Sequence, residues 1–110
     1  MSKNIKFKKS NRLDSTKQAI FLSGDAIKSL ALMPKNFIKL IVTSPPYNIG
    51  KEYEDRKPLS EYFETIIPII EELKRVLKND GSICWQVGNH VNKGEIYPLD
   101  IFYYQIFKDL

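Results

Sequence analysis

The stretch FIKLIVTSPPYNIG, Phe37 to Gly50, runs from a dense series of β-branched and apolar residues into two consecutive prolines. FIKLIVT shows no clean alternation of apolar and polar positions. A strand covered on both faces reads this way, as in a parallel sheet. The prolines then end it, because each fixes its own φ and lacks the backbone N–H that a ladder needs. A residue before proline is pushed out of the helical region, so Ser44 and Pro45 must both be extended. The strand therefore passes into a stiff rim that presents acceptors: the Ser44 hydroxyl and the carbonyls of Ser44 and Pro45. Tyr47 adds a flat face at the same edge.

Working outward, QAIFLSGD (18–25) reads as a short strand ending at Gly24-Asp25. DAIKSLALMP then predicts a short helix through Ala26, Ile27, Leu30 and Met33, which Pro34 cannot continue. Downstream, GKEYEDRKP is a polar surface loop. From Leu59 a long helix is expected, with Tyr62, Phe63, Ile66, Ile70, Leu73 and Leu77 on one apolar stripe and Ser60 as its N-cap. Pro68 should kink or split it. KNDG (78–81) marks a stop and turn, SICWQV a second buried strand, and GNHVNKGEIYP another loop. Pro98 suits the first turn of a last helix, LDIFYYQIFKDL, which is still apolar at Leu110 with no stop signal. The alternation of strand and helix predicts an α/β doubly wound sheet of about three parallel strands with flanking helices.

The 110 residues allow one small domain, and no apolar run approaches the ~18 residues of a membrane span. The N-terminus lacks a secretory apolar core, so a cytoplasmic protein is expected. A single cysteine, Cys84, excludes a disulfide framework and a cysteine-rich zinc site, and its place in GSICWQV reads as an inert core thiol. Residues 1–17 carry +5 and the remainder −1, which marks the first segment as a basic, disordered arm able to add phosphate affinity. His90, the only histidine, reads as a loop residue rather than a metal ligand, and no metal site is expected. Trp85 and the aromatics of IFYYQIF read as core. Lys51, Arg56 and Lys57 stand where a loop beside the rim can touch phosphates.

Ligands of an open α/β sheet bind beyond the carboxyl ends of its strands, where Ser44 lies. Acceptors beside an aromatic plate suit a planar group bearing an amino donor, such as a nucleobase. Its exocyclic nitrogen is a poor nucleophile, because the lone pair is delocalised into the ring. Two acceptors on its hydrogens draw that nitrogen towards tetrahedral geometry and free the lone pair for an adjacent electrophile, by positioning and electrostatics alone. A base in duplex DNA reaches such a site only by flipping out. Taken by themselves, the same residues also fit a rigid turn with a space-filling tyrosine.

VTSPPYNIG resembles the catalytic motif of the amino-group DNA methyltransferases, in which Ser, Asp or Asn precedes Pro-Pro-Tyr. GDAIKSLALMPKNFIKLIVTSPPYNIGKEYE is similar to that family's lead-in, and LKRVLKNDGSICWQVGN to the helix and strand that follow. The resemblance spans residues 18–110. It implies a Rossmann-like fold and methyl transfer from S-adenosylmethionine to double-stranded DNA, in a restriction-modification system with a cognate endonuclease. It further implies that Ser44 and the Pro45 carbonyl accept hydrogen bonds from the target amino group. Pro46 would hold the turn, Tyr47 would stack on the flipped base, and Asp25 would lie on the cofactor side. Serine in the first position leads us to expect cytosine-N4 rather than adenine-N6.

The family grips its cofactor with Phe-x-Gly-x-Gly, and glycines 24, 50, 81, 88 and 94 contain no such pattern. In the permuted class that motif follows the catalytic one, so 18–110 is expected to be the N-terminal part of a permuted catalytic domain. Two other readings stay open on the residues. One is a methyltransferase acting on a protein glutamine or an RNA amino group, although enzymes of that kind place the glycine-rich motif upstream. The other is a catalytically silent DNA-binding or assembly module that keeps the motif. The purified 110-residue chain is expected neither to bind S-adenosylmethionine tightly nor to methylate DNA. Methyl transfer by that chain to a panel of DNA substrates is the contrary result.

Overall fold

In a computed structural model, the structure describes residues 9–10, 13–14, 16–46 and 58–110. Along the chain these form β1 (Lys9–Ser10), β2 (Phe21–Leu22), α1 (Ala26–Leu30), β3 (Ile38–Thr43), α2 (Leu59–Val76), β4 (Leu77–Trp85), β5 (His90–Asn92), β6 (Glu95–Tyr97) and α3 (Leu99–Asp109). The class is α/β. The expected three-stranded parallel sheet is not found among them: β3 and β4 form a parallel pair, and β2 pairs instead with β1. Two residues, Phe21 and Leu22, keep strand geometry out of the eight in QAIFLSGD, too few to join the larger pair. Lys9 and Ser10, within the basic segment, supply their partner.

The β3–β4 register sets Leu40 against Ser82, Ile41 against Ile83, Val42 against Cys84 and Thr43 against Trp85. Between Ile38 and Leu40 the partner jumps from Leu77 to Ser82, so KNDG bulges out of the ladder. Gly81 lies in that bulge because a Cβ there would sit 2.9 Å from the Lys39 carbonyl oxygen and 2.7 Å from Leu77. Paired residues of a parallel sheet share a face. Ile41, Ile83 and Trp85 pack beneath α1 and α2, whereas Leu40 and Val42 are exposed, at 57% and 72%. The strand is thus covered on one face among the described residues, which corrects the expectation of two. Cys84 is on the open face and exposed, not a core thiol.

α2 is the girder of the fold. Its buried residues Tyr62, Ile66, Ile70, Leu73 and Val76 recur every three or four positions and form one stripe. The first three pack with Leu99 and Tyr103 of α3, and the last two with Leu30 of α1 and the covered face of the strand pair. Ile69 and Trp85 touch both clusters. Pro68 does not split the helix: it and Glu64, whose carbonyl loses its N–H partner, both lie on the exposed side, where water serves instead. The helix starts at Leu59 on Pro58, with no side-chain cap bond from Ser60.

Arg75 ties α1 to α2. Its guanidinium donates to the carbonyls of Met33 and Leu30, each at 2.9 Å, and is held by the Glu72 carboxylate. The Leu30 carbonyl also accepts from the Met33 N–H, so Arg75 braces the turn that follows α1. The Arg75 hydrogen bond holds Glu72 below the usual carboxylate range. Asn36 enters β3 with φ 55°, a left-handed turn that asparagine tolerates, and its N–H and that of Phe37 donate to the carbonyls of Arg75 and Val76. The end of α2 thereby fixes where β3 begins.

GNHVNKGEIYP is not a plain loop. Its β5 and β6 pair antiparallel across Lys93-Gly94, both at positive φ (51° and 80°), the two-residue turn that matches strand twist. His90 is buried at its base against Tyr97. Pro98 flanks α3 rather than lying inside it.

Replacing Gly81 with Ala must push the Lys39 backbone off its position. We expect Gly81→Ala to cost about 1–3 kcal/mol by denaturant unfolding, the usual range for overpacking. An unchanged midpoint contradicts the close approach.

Candidate functional site

Parallel pairing brings the carboxyl ends of β3 and β4 level, at Thr43 and Trp85. The Gln86 N–H donates to the Thr43 carbonyl at 3.0 Å, which carries the ladder one step past both strands. Beyond that step lies an open depression of about 440 Å³ lined by Val42, Thr43, Ser44, Cys84, Trp85 and Gln86. Ser44 and Pro46 are exposed and Pro45 is half-buried between them. The structure therefore puts Ser44, Pro45 and Pro46 together at the edge where an α/β sheet receives ligands. Tyr47, like Lys51, Arg56 and Lys57, lies outside the described residues.

The rim is held from behind. The Tyr62 hydroxyl on α2 donates to the Pro46 carbonyl at 2.5 Å and also meets the hydroxyl of Tyr103 on α3. Both tyrosines are buried, at 4% and 2% exposure. A phenol has one hydrogen, and that of Tyr62 goes to Pro46, so Tyr103 donates to Tyr62. Tyr103 sits in an aromatic cluster with ring centroids 5.2 Å from Trp85 and 5.4 Å from Phe63, and Trp85 is 5.3 Å from Phe107. Trp85 thus borders the depression and packs its ring on the core. Of the IFYYQIF aromatics, Tyr103 is core as expected, whereas Phe102 and Tyr104 are exposed.

Tyr62 was read from the sequence as one position of an apolar stripe, and Tyr103 only as core. The available signal was chemical: a tyrosine buried in such a stripe must find a partner for its hydroxyl. Asp25 stands apart from this arrangement. It caps α1, and its carboxylate accepts from the Ile27 N–H at 2.9 Å.

The described residues do not make up a site for S-adenosylmethionine. The lining contains hydroxyl, thiol, amide, aliphatic and indole groups but no carboxylate for the cofactor's ribose or ammonium, and Asp25 is engaged by its own helix. What they do form is an exposed hydroxyl and a proline pair at the edge of an open depression. Among the described residues, no group of His, Cys, Asp and Glu could hold a metal, and no helix is long and apolar enough to cross a membrane.

Residues 38–110 match the model of a family described as DNA methylase. The chain is 51% identical to the Type II methyltransferase M.BglII of Bacillus subtilis over 89 residues, 80% of this chain and 25% of that protein. It is 39% identical to the Type II methyltransferase M.MjaVI of Methanocaldococcus jannaschii over 61% of this chain and 36% of the relative. The Type II methyltransferase M.ScaI of Streptomyces caespitosus is 34% identical over 76% of this chain and 28% of its own length. The chain spans about a quarter to a third of the length of these curated relatives.

Burial, reinforced by the bond to Tyr62, drives the Tyr103 hydroxyl far above the ordinary phenol range. A tyrosine raised in the folded state contributes stability that is complete below its unfolded pKa and is lost as the pH climbs beyond it. We therefore expect unfolding to become easier above about pH 10. In ultraviolet titration, one tyrosine should ionise only as the protein unfolds. Ionisation of all six tyrosines with the fold intact contradicts the buried pair.

Proposed function

The chain belongs to the DNA methylase family, and on that premise we propose that it carries the base-positioning half of a site-specific DNA methyltransferase active site. The methyl donor is S-adenosylmethionine and the acceptor is the exocyclic amino group of a base flipped from double-stranded DNA. Ser44 Oγ and the Pro45 carbonyl accept the two amino hydrogens, Pro46 holds the turn, and Tyr47 stacks on the base. Asp25 belongs to the cofactor side. Residues 18–110 make up the N-terminal part of the catalytic domain, and the basic first segment adds phosphate affinity. Such an enzyme works in the cytoplasm beside a cognate restriction endonuclease.

The observation that supports this reading best is the place of the rim. The Ser44–Pro46 segment follows directly on Thr43 at the carboxyl edge of the parallel pair, and Ser44 lines a depression open to solvent. A hydroxyl and a carbonyl on so stiff a segment are set before the base arrives, and preorganised acceptors cost no reorganisation during the reaction. The hydroxyl is a weaker acceptor than a carboxylate or amide. Adenine-N6 enzymes of the family more often carry Asp or Asn where Ser44 stands, and on that ground we propose cytosine-N4 ahead of adenine-N6.

Nucleoside analysis of DNA treated with the full-length protein and labelled S-adenosylmethionine tests the reaction and the base together. We expect N4-methylcytosine as the labelled product. N6-methyladenine overturns the choice of base, and label in protein or RNA instead of DNA overturns the reading. Ser44→Ala should lower kcat by about 10²-fold, as expected for loss of one preorganised hydrogen-bonding partner, with DNA affinity retained.

A further inference from the structure

Of the two buried tyrosines, Tyr62 reaches the rim directly and Tyr103 reaches it through Tyr62. Pro46 is exposed, so water can serve its carbonyl. The phenol that meets it comes from inside the core, where its oxygen also accepts from Tyr103. The Pro46 carbonyl thus takes the one phenol hydrogen that the tyrosine pair cannot satisfy between themselves, and the same bond ties the rim to the core. Prolines 45 and 46 have fixed φ and Ser44 is held extended. What remains to orient the acceptors is rotation about ψ within the pair. A hydrogen bond that fixes the direction of the Pro46 carbonyl removes much of that freedom.

We propose that Tyr62, backed by Tyr103, is a positioning residue for methyl transfer: it locks the Pro46 carbonyl and so holds the Ser44 and Pro45 acceptors in register with the base. This deepens, and rests on, the DNA-methylation reading above. Tyr62 touches neither base nor donor. It acts through the main chain, and Tyr103 acts through Tyr62 by fixing the direction of its hydroxyl. The arrangement also couples the rim to the core, since Tyr62 packs on α3 and Tyr103 on Trp85, which lines the depression.

The test uses the full-length protein with carbonyl-¹³C proline, in the wild type and in Tyr62→Phe, Tyr103→Phe and the double variant. Each substitution removes one oxygen and keeps the ring. We expect the Pro46 carbonyl signal to move upfield in Tyr62→Phe, because the hydrogen bond is gone. The value of kcat should fall about tenfold, the worth of one misplaced hydrogen bond. KM for DNA and for S-adenosylmethionine should hold. Tyr103→Phe should lose less, and the double variant should be no slower than Tyr62→Phe. Ile70→Val, a buried change under the same helix with no contact to the rim, should leave kcat intact although it lowers stability.

An unmoved Pro46 signal, an unchanged kcat in Tyr62→Phe, or a kcat loss reproduced by Ile70→Val each overturns the proposal. A wild-type protein that does not methylate DNA overturns the underlying reading. The Pro46 signal still decides in that case whether Tyr62 anchors the rim.

Discussion

The parallel pairing of β3 with β4 is the constraint on which the rest depends. It places Thr43 beside Trp85, so that two chain segments leave the sheet at one level and in one direction. One departs as Ser44-Pro45-Pro46, which can neither curl into a helix nor extend the ladder. The other departs as Gln86 and leads to the hairpin and α3. An antiparallel pair would put these departures at opposite ends, and Tyr103 would have no route to the underside of the rim. The acceptors, the depression and the tyrosine pair all follow from that shared edge.

α2 makes the pairing possible. A parallel pair needs a crossover, and this one is a helix whose single apolar stripe serves two clusters, with Ile69 and Trp85 common to both. Arg75 at its far end fastens α1 and the entry to β3, while Tyr62 near its start reaches the exit from β3. The same helix thus fixes both ends of the strand that carries the rim. The chain spans 25% and 36% of the length of two of the relatives it matches. The open face of Leu40 and Val42 belongs to the same picture of a sheet exposed on one side.

Much of this was legible in the residues. FIKLIVT and SICWQV read as strands from their apolar density, and both are. The stripe from Tyr62 onward specified α2, and the proline pair marked where β3 ends. Failures had local causes. QAIFLSGD promised a strand on composition, yet pairing partners decide strand length, and only two residues found one. Pro68 does not split α2, because the hydrogen bond it removes falls on the exposed side. Cys84 looked buried because apolar neighbours cannot reveal which face of a sheet is covered. The hairpin was hidden by its polar sequence, although Lys93-Gly94 is turn chemistry. Tyr62 and Tyr103 were hidden because an apolar pattern records a ring and says nothing about where its hydroxyl points.

The central claim is geometric, and a crystal structure of the full-length protein with cognate duplex DNA and a non-reactive cofactor analogue tests it most directly. The account predicts a flipped base whose exocyclic nitrogen lies about 2.7–3.2 Å from both Ser44 Oγ and the Pro45 carbonyl oxygen, at hydrogen-bonding distance. A target base that stays stacked in the duplex, or one seated away from Ser44 and Pro45, contradicts it.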